Sequence, residues 1–138
     1  MAVEITGRYT GHLKTELTHG PSGKVLPTAA PVDNQGDGSS FSPTDLVAAA
    51  LASCMVTTLA IVAERDGIDL SGVSFRVEKH MAGDPRRIAR LPVEIHLPAD
   101  LPAAERAKLE RAAHTCPVHR SLLPEIDKEV RFVYDVTR

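Results

Sequence analysis

A chain of 138 residues, 43% hydrophobic and 25% charged, has the length and composition of one globular domain with a core of its own. Its formal net charge of −2 argues against nucleic acid or an anionic membrane as partner. The opening MAVEITGRYT has no basic start followed by an apolar core, so no secretory signal is expected and a cytoplasmic location is.

Residues 2–6 alternate, with Val3 and Ile5 on one side, and predict a first strand. Leu13, Thr15 and Leu17 repeat the pattern and predict a second. HGPSG (19–23) has turn chemistry, and KVLPT after it predicts a third short strand. The polar stretch 31–42, PVDNQGDGSSFS, has no periodicity and is expected to be a long loop, a kind of segment that often carries function.

A helix then begins with strong signals. Ser42 suits the N-cap, Pro43 the first helical position, and Asp45 closes a capping-box pattern. Gly67 marks the stop, so the helix is predicted to run to about Arg65. From Leu46 to Ala63 it carries no charge, which raises the question of a membrane span. Six alanines and three Ser or Thr in that stretch weigh against one, and no membrane partner is expected. A helix apolar all round must be buried all round. One small sheet covers only one side, so a second copy of the chain is expected on the other, making an obligate homodimer.

After Gly72 the strand pattern returns in Val73, Phe75 and Val77. MAGDPRR is expected to turn, its basic run DPRRIAR (84–90) being a solvated hairpin end rather than a phosphate site, and Val93, Ile95 and Leu97 form the next strand. Residues 101–115 are amphipathic and predict a helix with Leu109, Ala112 and Ala113 inward. Pro117 breaks it at Cys116 and can open a short second helix that ends near Pro124. Val130, Phe132, Tyr134 and Val136 alternate as a closing strand. The order βββ-α-ββ-αα-β predicts a single α+β domain over 1–138 with a largely antiparallel sheet and a long central buried helix.

Only two cysteines occur, Cys54 in ALASCMVTTL and Cys116 in HTCPVHRSLL, 62 residues apart. In a chain expected to be cytoplasmic, paired thiols point to redox or catalytic work or to a metal, and the plain alternative is two buried small hydrophobes. Cys116 at a helix N-terminus is expected to be the more acidic thiol. Cys54 lies three turns into its helix with Ala50, Leu51, Thr57 and Thr58 around it, so any activating cation must come from elsewhere in the fold or from the other subunit. Cys116 and His119, with His114 near, have part of a zinc-ligand spacing, but no paired motif supplies four ligands and no metal is expected. His12, His19, His80 and His96 are scattered. No phosphate loop or hydrolase elbow occurs, and no cofactor is implied.

SFSPTDLVAAALASCM (40–55) and HTCPVHRSL (114–122), at this separation, resemble the OsmC/Ohr family of thiol peroxidases, and the likeness covers the chain in element order. The loop HGPSGKVLPTAAPVDNQGDG resembles the OsmC-like branch distinct from the organic hydroperoxide reductases. The resemblance implies a swapped homodimer with two long central helices packed together and active sites at the subunit interface. It implies that Cys54 attacks an organic hydroperoxide, or hydrogen peroxide, and becomes a sulfenic acid. Cys116 then resolves it as a disulfide, which a dithiol reductant such as dihydrolipoamide reopens, in oxidative-stress defence. Thiol pairs in a reducing compartment are capable of this chemistry.

The family's peroxidases activate the first cysteine with a Glu and an Arg. The Glu position directly after the proline is Thr44 here. Asp45, next to it, is the candidate carboxylate, although one helical residue turns it about 100° and its capping position accounts for it without catalysis. The Arg position falls at Lys14, a cation without the bidentate fork, with Arg8 as the nearby alternative. These departures keep a second reading open, a non-enzymatic redox or small-ligand-binding protein on the same scaffold.

Overall fold

The computed structural model describes residues 1–137, and contacts gather the chain into two units, Met1–Val47 and the remainder from Ala48. The first unit is an antiparallel sheet of β1 (Ile5–Gly11), β2 (Lys14–His19) and β3 (Val25–Ala29), paired in that order. β1 starts later than the alternation at 2–6 suggested and runs on to Gly11. Pairing sets the boundary, because Ile5 faces His19, where the HGPSG turn ends β2. His12 and Leu13, at φ 56° and 61°, make a tight left-handed turn between β1 and β2, a geometry that matches the twist of the flanking strands. Pro27 sits in β3, at the edge of the sheet, where its missing N–H costs no pairing. Most of β1, β2 and the first part of β3 is exposed or half-exposed, and only Thr28 and Ala29 are buried in these strands. The loop over 31–42 holds one 3-10 turn, Val32–Asn34.

Helix α1 (Pro43–Arg65) has the ends that the sequence signals. The Ser42 N–H donates to Asp45 Oδ2 at 2.8 Å and the Asp45 N–H donates to Ser42 Oγ at 3.1 Å, a reciprocal capping box. At the other end Gly67, at φ 68°, allows the Ile68 N–H to reach Ala63 O at 2.8 Å and the Gly67 N–H to reach Glu64 O at 3.2 Å. That is the double closure of a Schellman end. By length and composition α1 is apolar enough to cross a membrane. It serves as the core helix of the second unit, burying one stripe made by Ala48, Leu51, Ala52, Met55, Leu59 and Ala63. The other side, with Ala50, Ser53, Thr57 and Ile61, stays exposed. The Thr57 and Thr58 hydroxyls donate to the carbonyls of Ser53 and Cys54, each at 2.8 Å.

The second unit adds a sheet ordered β4 (Ser74–Val77), β7 (Val93–Pro98), β8 (Val130–Val136), with β7 central. Val93, Ile95 and Leu97 of β7 are buried, as period-2 patterning requires. β4 and β7 are antiparallel, whereas β7 and β8 run parallel, joined by α2 (Ala103–Ala113) and α3 (Pro117–Ser121). α3 ends at Ser121, with Leu122 already extended, earlier than Pro124 alone would require. The MAGDPRR segment, expected as a turn with DPRRIAR as a solvated hairpin end, closes a separate hairpin of β5 (His80–Ala82) and β6 (Arg87–Arg90). Strands of three and four residues rich in His and Arg carry no readable alternation.

Across the parallel pair, the His96 ring is held between carboxylates. Nδ1 lies 2.9 and 3.0 Å from the two Asp135 oxygens, and Nε2 lies 2.6 Å from Glu94 Oε1, whose other oxygen is 3.7 Å from Arg131. Asp135 first and Glu94 second raise the His96 pKa above its ordinary value. The folded value therefore exceeds the unfolded one of about 6.5, so the clamp stabilises fully below that pH and its contribution is lost as pH rises through the folded value. The urea midpoints of the native protein and His96→Gln should accordingly differ most near pH 5.5 and converge by pH 9. A difference that widens with pH would refute the clamp.

Candidate functional site

Cys54 and Cys116 meet in the second unit. Cys54 projects from the middle of α1 at the border of its buried stripe and is half-buried, while Cys116 is buried with 0% exposure. Both are free thiols, and Cys54 is close enough to Cys116 to act on its thiol electrostatically. Pro117 explains the placement of Cys116. It holds Cys116 extended, at φ −61° and ψ 140°, and opens α3, so the sulfur becomes the N-cap group and accepts the His119 N–H at 3.2 Å.

The helix break at Cys116 is as expected, but the consequence for acidity is reversed. Burial pushes the Cys116 thiol up, the His119 and Val118 N–H groups oppose it, and the Cys54 neighbour raises it further. A five-residue helix supplies too little to offset loss of water around a thiolate. The reduced Cys116 is therefore held as a thiol.

His119 and His114 flank this point. Their rings meet edge to face at 5.9 Å, and His114 lies 6.0 Å from the Phe132 ring. Nδ1 of His114 donates to Glu110 O at 2.9 Å, which fixes the ring. Burial first, then Lys128 and His114, lower the His119 pKa, so the ring is neutral at pH 7. No group of three or more His, Cys, Asp or Glu side chains is placed to hold a metal among the described residues.

The other candidates belong largely to the first unit. Lys14 opens β2 directly after the left-handed turn, and its ammonium lies 2.9 Å from Asp37 Oδ2. The Ser39 N–H donates to Asp37 Oδ1 at 3.0 Å, so both oxygens of Asp37 are engaged, and Lys14 and Ser39 hold its carboxyl well below the usual carboxylate range. An open cleft of about 360 Å3 lies here, lined by His12, Leu13, Lys14, Gln35, Gly36 and Asp37. Gly36 is obligatory in this wall, since a Cβ would fall 1.8 Å from Ala30 O. Arg8 is exposed and pairs with Glu16 at 3.2 Å. Asp45 is engaged in the capping box, and the Thr44 hydroxyl lies 3.2 Å from Ser42 Oγ.

Sequence reasoning thus identified the two thiols, and the structure brings them together. Asp37, which a loop fold carries to Lys14, has no such signal in the sequence. The helix-terminal N–H at Cys116, expected from Pro117, is that of His119.

The profile described as OsmC-like protein matches residues 36–131. A solved structure from Psychrobacter arcticus 273-4, called a putative osmotic stress induced and detoxification response protein, is 40% identical, with a TM-score of 0.87 over 96% of this chain and 95% of that one. The chain is also similar to an organic hydroperoxide resistance protein OsmC from Legionella pneumophila, with 22% identity, TM-score 0.73, and 96% and 97% of the two chains covered. OhrB of Bacillus subtilis gives 19%, 0.67, 96% and 98%. At such identities these last two show the fold. None of the curated proteins matches the chain.

Proposed function

The chain belongs to the OsmC-like family, and from that footing we propose that it is a thiol-dependent peroxidase acting on organic hydroperoxides, and on hydrogen peroxide, in oxidative-stress defence. The observation that carries the reading is the meeting of two free thiols, one half-buried and one buried, from motifs 62 residues apart. Relatives named for hydroperoxide resistance support the substrate class. In this mechanism the Cys54 thiolate attacks a peroxide oxygen. A sulfur–oxygen bond forms, the oxygen–oxygen bond breaks, and the alcohol departs with a proton. Cys116 then attacks the sulfenic sulfur, water leaves, and a disulfide closes, which a dithiol of the dihydrolipoamide kind reopens. Free thiols and a dithiol reductant suit a soluble protein in the cytoplasm.

Lys14 is the proposed cation for Cys54, with Arg8 as the alternative and Asp45, beside the Thr44 position, as the candidate carboxylate. Replacing the responsible cation by Met should move the alkylation curve of Cys54 to higher pH. If neither Lys14→Met nor Arg8→Met shifts that curve, the assignment is wrong. The second reading, a redox or ligand-binding protein without efficient turnover, is favoured by Lys14 being paired with Asp37 and by Thr44 and Asp45 serving the helix cap. Turnover of cumene hydroperoxide and hydrogen peroxide with dihydrolipoamide as reductant decides between them; no consumption beyond a stoichiometric burst would favour the second.

The assembly we propose is the swapped homodimer. Its support is the exposed side of α1 with Ile61, together with Ile5, Tyr9, Val25 and Leu26 exposed on the three-stranded sheet. Apolar area of that kind is normally covered. Sedimentation at micromolar concentration should give about twice 14.8 kDa. A folded monomer there would end the dimer proposal.

A further inference from the structure

The two sulfurs of the pair differ in what surrounds them. Cys116 has 0% exposure, and its Sγ accepts the His119 N–H at 3.2 Å. Cys54 is half-buried on the flank of α1. The Thr58 hydroxyl lies 4.0 Å from Cys54 Sγ but is already donating to the Cys54 carbonyl at 2.8 Å. A negative charge on Cys116 thus meets one aligned backbone donor, while a charge on Cys54 does not meet that hydroxyl proton.

We propose that when the pair is oxidised the incoming reductant thiolate attacks the sulfur of Cys54, and Cys116 is the leaving group. This rests on the reading of Cys54 and Cys116 as a redox pair, and it names the reductant's target and the order of bond changes. The reductant sulfur bonds to Cys54 Sγ, the Cys54–Cys116 bond breaks, and both its electrons stay on Cys116, which takes up a proton. The second thiolate of a dithiol then attacks the reductant sulfur of the mixed disulfide. Cys54 leaves as thiolate, and the dithiol closes on itself, having given two electrons to the protein.

Access sets this order, and one aligned donor eases its cost. Thiol–disulfide exchange needs a nearly linear approach to the attacked sulfur and favours the better-stabilised departing thiolate. Access selects Cys54, by the route a peroxide oxygen must take to the same atom. The departing charge on Cys116 is met by the His119 N–H already aimed at its sulfur. Burial raises the cost of that charge, and it is short-lived, since the Cys116 thiol regains its proton readily in the reduced pair.

The test forms the disulfide with diamide, which needs no peroxidase activity. The oxidised protein is treated briefly with 2-mercaptoethanol in the presence of iodoacetamide and then mapped by mass spectrometry. The expected product carries mercaptoethanol on Cys54 and carbamidomethyl on Cys116, in at least about tenfold excess over the reverse, a ratio equivalent to one hydrogen bond's net worth. Equal labelling, or mercaptoethanol on Cys116, overturns the proposal while leaving the redox pair intact. Failure of diamide to form an internal disulfide overturns the pair itself, and the proposal with it. His119→Pro removes the donating N–H, and circular dichroism checks that the fold survives the change. In that variant, reduction by the same monothiol should slow about tenfold, with the label still on Cys54. An unchanged rate would refute the leaving-group role of the His119 N–H.

Discussion

Cys54→Ser should abolish peroxide consumption, whereas Cys116→Ser should spare the first turnover and lose the later ones. A serine hydroxyl at this position stays protonated at neutral pH and is a far weaker nucleophile toward peroxide oxygen than a thiolate, so the loss expected is on the order of a thousandfold or more. In Cys116→Ser the sulfenic acid on Cys54 has no thiol beside it. It should be trappable by a sulfenic-acid reagent and should over-oxidise with excess peroxide. In the native protein, stoichiometric peroxide should remove both free thiols and leave a monomer-mass species on denaturing, non-reducing analysis. Native-level consumption by Cys54→Ser would reassign the nucleophile to Cys116.

The largest effect on stability is expected from Leu59→Ala. Leu59 lies in the buried stripe of α1 at 0% exposure, between Met55 and Ala63, which are also buried. Truncation removes three heavy atoms from a helix anchored at both ends by its caps, so the site has little freedom to collapse. A cost of about 2–5 kcal/mol is expected, read as a lower urea midpoint at fixed protein concentration. Ser42→Ala, by contrast, removes one side-chain acceptor at the N-cap and should cost only about 1 kcal/mol. If Leu59→Ala proved no worse than Ser42→Ala, the stripe would not be the core it is described as.

What the sequence made legible was local. The Ser-Pro-Thr-Asp opening and Gly67 bounded α1 because capping depends on residues a few positions apart, and Pro117 located the break at Cys116 for the same reason. The start of β1 was not legible, because a strand's end depends on its partner. The turn at MAGDPRR and its hairpin end were legible, but the β5 and β6 strands were not, because three and four residues are too few to show a face. The acidity of Cys116 failed most instructively. Its helix terminus is written in adjacent residues, but the burial that outweighs it is assembled from the whole unit. Lys14 was visible as a cation. That Asp37, far along the chain, pairs with it depends on a loop path held by Gly36.

Thr57 and Thr58 are among the residues that made α1 look too polar for a membrane. Each hydroxyl is committed to the carbonyl one turn back, which leaves the γ-methyl as the group a neighbour would touch. Such a threonine takes its hydrogen bond along wherever the helix goes. Moving that face out of water removes almost no hydration that is not already replaced, so its desolvation resembles that of valine more than of an exposed alcohol. Valine at position 57 would therefore preserve the character of this surface, while asparagine, whose amide cannot be satisfied within one turn in the same way, would change it.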